Sequence, residues 1–484
     1  MSKTTIIYKD VAPGAESDAS VTTTASETHS DPAMLPTGVS PSAVITLEHN
    51  SWTLNGTRRS IDTQPLAFWS EEISGEDGTF QAPPTITVEF DSQYTSVGIS
   101  LVFDTALNEW CSSVNIKWYQ GETLKSSKDF APDAPTYFCQ HNVASYDKVI
   151  ITLNRTRLPG RRAKLSQIAF GVIRTFGMTE IRKASIVNVM DLAALSLPSS
   201  TLSWTLDSKA DVDYIFQLKQ PVEVRNDDQL IGVYYIDQAS RSGPRLYTID
   251  CYDAIGVLDE SAFPGGYYSG KSAKALLEEI LGDSFTLDFQ GTDAAVTGII
   301  QACTKREALQ QVAFAAGLCL STDGSHQIKA FSPGSTATEI PKTRVYTGAS
   351  VKTAAIVTEV RVTAHAYTQD SSGGIEIGGV KYKDTPTVYT VTNPDVTATD
   401  KSNIIEITDA TLVSASIGQA VAQRVYDYYN KRNTYSGKIV WRGEALGDCL
   451  TLPNTWGGTN TGHVIRMSIN LSNTVAATCE SIGE

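Results

Sequence analysis

Val114-Asn-Ile-Lys-Trp-Tyr119 alternates apolar and polar residues with a period of two. Successive side chains of a β-strand point to opposite faces, so Val114, Ile116 and Trp118 share one face, and Asn115, Lys117 and Tyr119 share the other. That is the pattern of a half-buried strand, and the neighbouring sequence repeats it. Residues 86–90 and 98–103 alternate too, while Lys148-Val-Ile-Ile-Thr-Leu153 and residues 165–171 add further strands. Five or six strands at this spacing, with no helical period between them, predict a β-sandwich over residues 43–172.

Working outward, residues 4–8 read as a short strand. Residues 9–40 are rich in Ala, Ser, Thr, Gly, Pro and acidic residues, which cannot bury enough surface for a core. Residues 1–42 are therefore expected to be an arm or linker, ordered only against its neighbours. On the other side, residues 173–263 hold a second β-domain. Its strands are expected at 181–189, 203–206, 221–225, 229–236 and 245–253. The clearest is Gln229-Leu-Ile-Gly-Val-Tyr-Tyr-Ile236, which follows the acidic turn Asn226-Asp-Asp228.

Residues 264–345 change character. Ser272-Ala-Lys-Ala-Leu-Leu-Glu-Glu-Ile-Leu281 is amphipathic, with Ser272 as N-cap and Gly282 as a stop. A second helix is predicted over 304–316, where Ala308, Leu309, Val312 and Ala315 recur at helical spacing and Thr304 with Glu307 fit a capping box. A hairpin over 318–331 turns at Asp323-Gly324. This is a small α+β module. Residues 346–484 return to strands (351–366, 379–382, 388–391, 435–442, 449–452 and 463–471). One helix interrupts them over 414–431, carrying Ile417, Ala420, Val421, Arg424, Val425 and Tyr428. The fold class expected is mainly β and multi-domain.

Composition agrees. At about 100–200 residues per domain, 484 residues make three or four domains. With 41% hydrophobic residues, real cores are available. Abundant Thr, Ser, Val and Ile favour strands, and only five Met are present, against a helical bundle. The net charge of -14 argues against a nucleic-acid binder, which needs a basic stripe to replace counterions. Seven scattered Cys with no CxxC pair suit reduced, buried thiols rather than disulfides or zinc. The N-terminus lacks the long apolar core of a signal peptide, and no stretch of about 18 apolar residues could span a membrane.

Catalytic signatures are sparse. There is no phosphate-binding loop, dinucleotide fingerprint, GxSxG elbow or HExxH. Cys139-Gln-His141 is the one site-like cluster, but it lies in strand-like sequence rather than opening a helix. Glu71-Glu72, Glu76-Asp77, and Asp104 with Glu109 offer carboxylates, yet a glycosidase needs two of them across a cleft, which adjacency does not supply. No catalytic residue, metal site or cofactor is expected, and the protein reads as a non-enzyme. Aromatic faces can stack on sugar rings. Trp110, Trp52 and Trp69 are the candidates for glycan binding, against the plainer role of filling the sandwich core.

Two segments carry a family resemblance. Val44-Ile-Thr-Leu-Glu-His-Asn-Ser-Trp-Thr-Leu-Asn-Gly56, Phe68-Trp-Ser70, Gly78-Thr-Phe80, Pro83-Pro-Thr-Ile-Thr-Val-Glu-Phe90, Val97-Gly-Ile-Ser-Leu-Val-Phe-Asp104 and Ile168-Ala-Phe-Gly171 together resemble a discoidin-like, galactose-binding-type jelly roll inserted in phage tail proteins. Ile181-Arg-Lys-Ala-Ser-Ile186, Leu197-Pro198, Leu230-Ile-Gly-Val-Tyr-Tyr-Ile236, Asp250-Cys-Tyr-Asp-Ala-Ile-Gly256, the helix through Ala308 and Ala316, Gly447-Asp448 and residues 462–471 are similar to baseplate hub proteins of phage tails and contractile injection machines. The two segments cover about four-fifths of the chain.

The resemblance implies a virion structural protein at the tail baseplate or tip, assembled in the host bacterial cytoplasm. It implies a trimeric ring in which residues 173–263 and 346–484 are two tube-like β-barrel domains flanking the α+β module. Its partners would be a tail tube or distal tail protein and a tail spike or fibre, with DNA passing through the lumen unbound. Hubs often carry a fused lysozyme or peptidase, for which this sequence leaves no room after Glu484. The alternatives are an adhesin that binds host glycans through the β-sandwich, and a cell-wall hydrolase.

Overall fold

In the computed structural model the described residues are 4–12, 14–24, 26–39, 67–105, 107–208, 216–226, 229–322, 327–397, 401–454, 456–471 and 475–483. The chain is mainly β and forms two compact units. One is Tyr8–Thr175; the other combines Met1–Ile7 with Phe176–Glu484.

In the first unit seven strands make one antiparallel sheet. Its order is Phe68–Ile73, Arg162–Ala169, Thr85–Phe103, Thr136–Thr156, Cys111–Gln120, Thr123–Phe130, with Ala19–Thr23 also paired to Thr85–Phe103. Residues 86–90 and 98–103, expected as separate strands, belong to one strand of 19 residues. It pairs with the 21-residue strand Thr136–Thr156 in two stretches, 85–89 with 148–152 and 98–102 with 136–140, and the register shifts between them. Such irregularities bend a strand. Gly98 sits in the bend at φ 155°, where a Cβ would lie 2.4 Å from the Cys139 carbonyl oxygen. Residues from both stretches (Ile86, Val88, Ile99, Leu101) then share one core with Val114, Ile116 and Trp118, the face read from the alternation.

The segment over residues 9–40 supplies an edge strand and a lock. Asp18 accepts hydrogen bonds from Tyr94 Oη (2.8 Å) and the Ser92 amide (3.0 Å). The Tyr94 bond, above all, holds the Asp18 carboxyl below the ordinary value of 3.8.

The second unit is organised by a thirteen-stranded sheet. Along it run Ser350–Thr353, Asn433–Val440, Ala476–Gly483, Thr459–Asn470, Ile181–Val189, Thr201–Asp207, Leu246–Tyr252, Gln229–Arg241 and Pro221–Asn226. The two tube-like regions therefore do not close as separate barrels among the described residues; their strands share a sheet. The seam is the antiparallel pairing of residues 185–189 with 466–470. Each region alone would leave a strand edge with unpaired N–H and C=O groups at this place, and pairing removes both edges. Ile186 and Ile469 face each other across the seam, both buried.

The helices form where the capping residues place them. Ser272 accepts from the Ala275 amide, and Thr304 and Glu307 complete a capping box for Lys305–Ala316. Gly282 and Gly317, both at positive φ, end the two helices. The core of this region reaches beyond residue 345. Leu276, Ile280, Leu309 and Val312 pack with Val421 and Val425 of the helix Gly418–Asn430 and with Val360 and Val362. Residues 351–366, expected as one strand, are two. Ser350–Thr353 pairs with 433–436 in the large sheet, whereas Glu359–Ala364 lies between Thr387–Thr392 and Ile404–Ile407. The backbone changes partners between them: the Ala354 amide donates to Arg432 and the Thr358 amide to Asn403. The hairpin strands Cys319–Thr322 and Gln327–Phe331 pair as expected. Their turn at Asp323-Gly324, and Asp227 and Asp228 of the acidic turn, lie outside the described residues.

Ile186→Ala at the seam is expected to cost about 2–5 kcal/mol, the range for deleting a buried aliphatic side chain, read by denaturant unfolding. Asp18→Asn tests the lock through pH. A carboxyl depressed in the folded state stabilises above its unfolded pKa, and that contribution is lost as the pH falls through the folded value. The variant should melt below the wild type at neutral pH, and the gap should close as the pH drops below 3.8.

Candidate functional site

Of the three tryptophans offered for sugar stacking, Trp52 lies outside the described residues. Trp69 stands opposite Lys164 on neighbouring strands and is 4% exposed. The His29 ring meets it edge-on at 5.0 Å, and Lys164 Nζ sits 5.0 Å from its centroid. Trp110 is half-buried. Its Nε1 donates to the Pro132 carbonyl at 3.0 Å, and the Arg157 guanidinium lies 4.3 Å from its ring centroid.

Lys164 links the two rings. Besides meeting Trp69, it pairs with Glu109, the residue before Trp110, at 3.1 Å. Glu109 also lies 2.8 Å from Arg161 Nε, in an orientation that makes an ion pair rather than a hydrogen bond. The Arg161 side chain is only 5% exposed. The cavity bounded by Glu109, Trp110, Arg157, Arg161 and Lys164 measures about 10 Å³, too small for a sugar ring. The cluster is a buried charge network with aromatic walls.

The other candidate groups have structural partners. Cys139 is in the core, where burial pushes its thiol far above the ordinary range, so no thiolate forms there. His141 meets Ser126 Oγ at 2.7 Å and packs beside Trp118, and burial lowers its pKa. Glu72 accepts from the Gln81 amide, Asp77 from Thr79, and Asp104 from the Leu107 amide. Each holds a turn. Glu71 and Glu76 are exposed.

A roomier concavity lies in the second unit, and no motif in the sequence marks it. It is a cleft of about 310 Å³ beside residues 229–234. Ser321, Lys329 and Phe331 line it too, from the hairpin sheet, as do Trp441, Gly443 and Glu444. Its lining is polar and aromatic together. Trp441 Nε1 donates to the Glu444 carbonyl at 2.9 Å, and the Glu444 carboxylate is paired with Arg344. Tyr234 Oη donates to Asn188 Oδ1 at 3.0 Å.

The sequence matches no protein-family model and no curated protein. Among solved structures the chain is similar to phage tail proteins. The tail protein from Neisseria meningitidis MC58 is 12% identical, with a TM-score of 0.47, over 64% of this chain and 94% of that one. The 43 kDa tail protein of prophage MuSo2 from Shewanella oneidensis is 13% identical, with a TM-score of 0.46, over 64% and 96%. Prophage tail protein gp18 from Listeria monocytogenes EGD-e is 10% identical, with a TM-score of 0.43, over 64% and 92%. No helix of the described residues is long and apolar enough to cross a membrane.

Glu109→Ala should destabilise the first unit by about 3–5 kcal/mol, because it leaves the Arg161 charge buried without a partner. Chemical denaturation of the purified variant reads the loss; an unchanged midpoint would mean that Arg161 finds water instead.

Proposed function

We propose that the chain is a structural tail component, a hub that joins the tail tube to the tip or spike of a phage-type tail. The observation that carries this reading is the shared sheet of the second unit. Two β-regions at separate places in the sequence become one continuous wall through the 185–189 and 466–470 seam. A ring of three such chains would offer six β-regions to a six-fold tube. The chain's charge of -14 suits a lumen in which DNA must not stick. The non-enzymatic reading is supported by the core position of Cys139 and by the structural partners of Glu72, Asp77, Asp104 and Glu109.

In this reading residues 43–172 are the inserted jelly roll and residues 264–345 the connecting module. The protein works in the virion, after assembly in the host cytoplasm. Light scattering on the purified chain should give a trimer, and mixing with the cognate tube and tip proteins should give a larger complex. A stable monomer that joins neither would overturn the proposal.

One observation favours a second role for the first unit, capture of host glycans. Trp110 is half-buried, and the exposed residue Arg157 lies against its ring. Purified protein should then bind host-cell polysaccharide, and Trp110→Ala should reduce the binding about tenfold, the loss of one stacked ring. No binding by the unaltered chain would sink this role.

A further inference from the structure

We infer that the cleft of the second unit is a carbohydrate site: it takes one uncharged sugar unit, stacked on Trp441 and held through its hydroxyls by Asn188, Ser200 and Ser321.

The argument begins with polar groups that line the cleft and keep hydrogen-bonding capacity to spare. Ser321 is 8% exposed, and its hydroxyl makes no hydrogen bond among the described residues. Ser200 is 5% exposed. Its Oγ accepts from the Val189 amide at 3.3 Å, which leaves its own proton to donate. Asn188 uses its Oδ1 to accept from Tyr234 Oη at 3.0 Å, and its amide N–H groups make no hydrogen bond among the described residues. Polar groups withdrawn from bulk water are costly unless something meets them. Here they converge on one space and offer donors and acceptors together. A ligand hydroxyl can both give and accept, so it suits each of them.

Charge excludes an ion as the occupant. The lining holds one cation, Lys329, and one carboxylate, Glu444. Glu444 is paired with Arg344. Lys329 stands in register beside Asp288 on the parallel strand Thr286–Phe289, and in-register side chains of neighbouring strands share a face. Neither sign is in excess. An uncharged ligand enters without displacing either partner.

The aromatic wall supplies the other half of the chemistry. Trp441 is half-buried and lines the cleft. Its Nε1 donates to the Glu444 carbonyl at 2.9 Å. That bond satisfies the one polar group of the ring, so the ring offers the cleft an apolar surface. A pyranose is amphipathic in the matching way, with an apolar C–H face and a rim of hydroxyls. The face lies on an aromatic ring while the rim meets hydroxyls and amides. Two residues from Trp441, a Cβ on Gly443 would touch nothing within 4 Å, so the loop leaves the approach clear. At about 310 Å³ the cleft is at the lower end of the range of ligand pockets, about 300–1,000 Å³, which suits a single small ring.

The inference rests neither on the hub proposal nor on glycan capture by the first unit, since every residue of the cleft belongs to the second unit. The test uses the full-length protein and four monosaccharides: D-glucose, D-galactose, N-acetyl-D-glucosamine and L-rhamnose. Each is titrated through the millimolar range, with saturation-transfer NMR to read contact and calorimetry to read Kd. At least one should bind saturably. Trp441→Ala should weaken that binding about tenfold. Ser321→Ala, which removes one hydroxyl and keeps the packing, should weaken it about fivefold. Two results would overturn the site: no saturable binding by any of the four sugars, or binding that both variants leave unchanged. Ser321→Ala alters a single hydroxyl, so it stays decisive even if Trp441→Ala disturbs the fold.

Discussion

The pairing of residues 185–189 with 466–470 is the constraint on which the second unit depends. Strands from the two ends of that unit meet there, and each end would otherwise present an open sheet edge. Main-chain hydrogen bonds are not sequence-specific, so the seam needs a second source of register. The Ile186 and Ile469 contact supplies it, because a slip by one residue would turn the side chain of the slipped strand to the wrong face. With the seam in place, the Leu246–Tyr252 and Gln229–Arg241 strands are ordered on one side and the Thr459–Asn470 and Ala476–Gly483 strands on the other.

The helical part of that unit is held by a different principle. Its core collects side chains from the helices Ala273–Leu281, Lys305–Ala316 and Gly418–Asn430 and from the Glu359–Ala364 strand. Arg424 lies within it, donating to the Phe314 carbonyl near the end of the Lys305–Ala316 helix. A cation there meets the negative end of the helix dipole. Burial lowers the Arg424 pKa, a sign of the desolvation that this contact offsets.

The two places where chemistry gathers differ in kind. In the first unit Glu109, Arg161 and Lys164 neutralise one another beneath aromatic rings, and little space remains. In the second unit the cleft beside residues 229–234 keeps about 310 Å³ of space among polar and aromatic side chains.

Local pattern alone determined the strand faces and the helix ends. Val114, Ile116 and Trp118 are buried as the alternation demands, and Ser272, Thr304 and Glu307 cap the helices that they were expected to cap, because these signals act over a few residues. Long-range pairing was decided only in the tertiary structure. Nothing within residues 351–366 marks the exchange of partners at Ala354 and Thr358, since those partners, Arg432 and Asn403, are far away in sequence. The burial of Trp69 follows from Lys164 and His29 in the same way. The cleft is the extreme case. Gln229-Leu-Ile-Gly-Val-Tyr-Tyr-Ile236 is plainly a strand in sequence, but its first six residues line a cleft because the neighbouring strand stops at Tyr252 and residues from 321–331 and 441–446 meet them there. An alternating pattern specifies which way side chains point; it carries no information about which backbone groups remain without a partner.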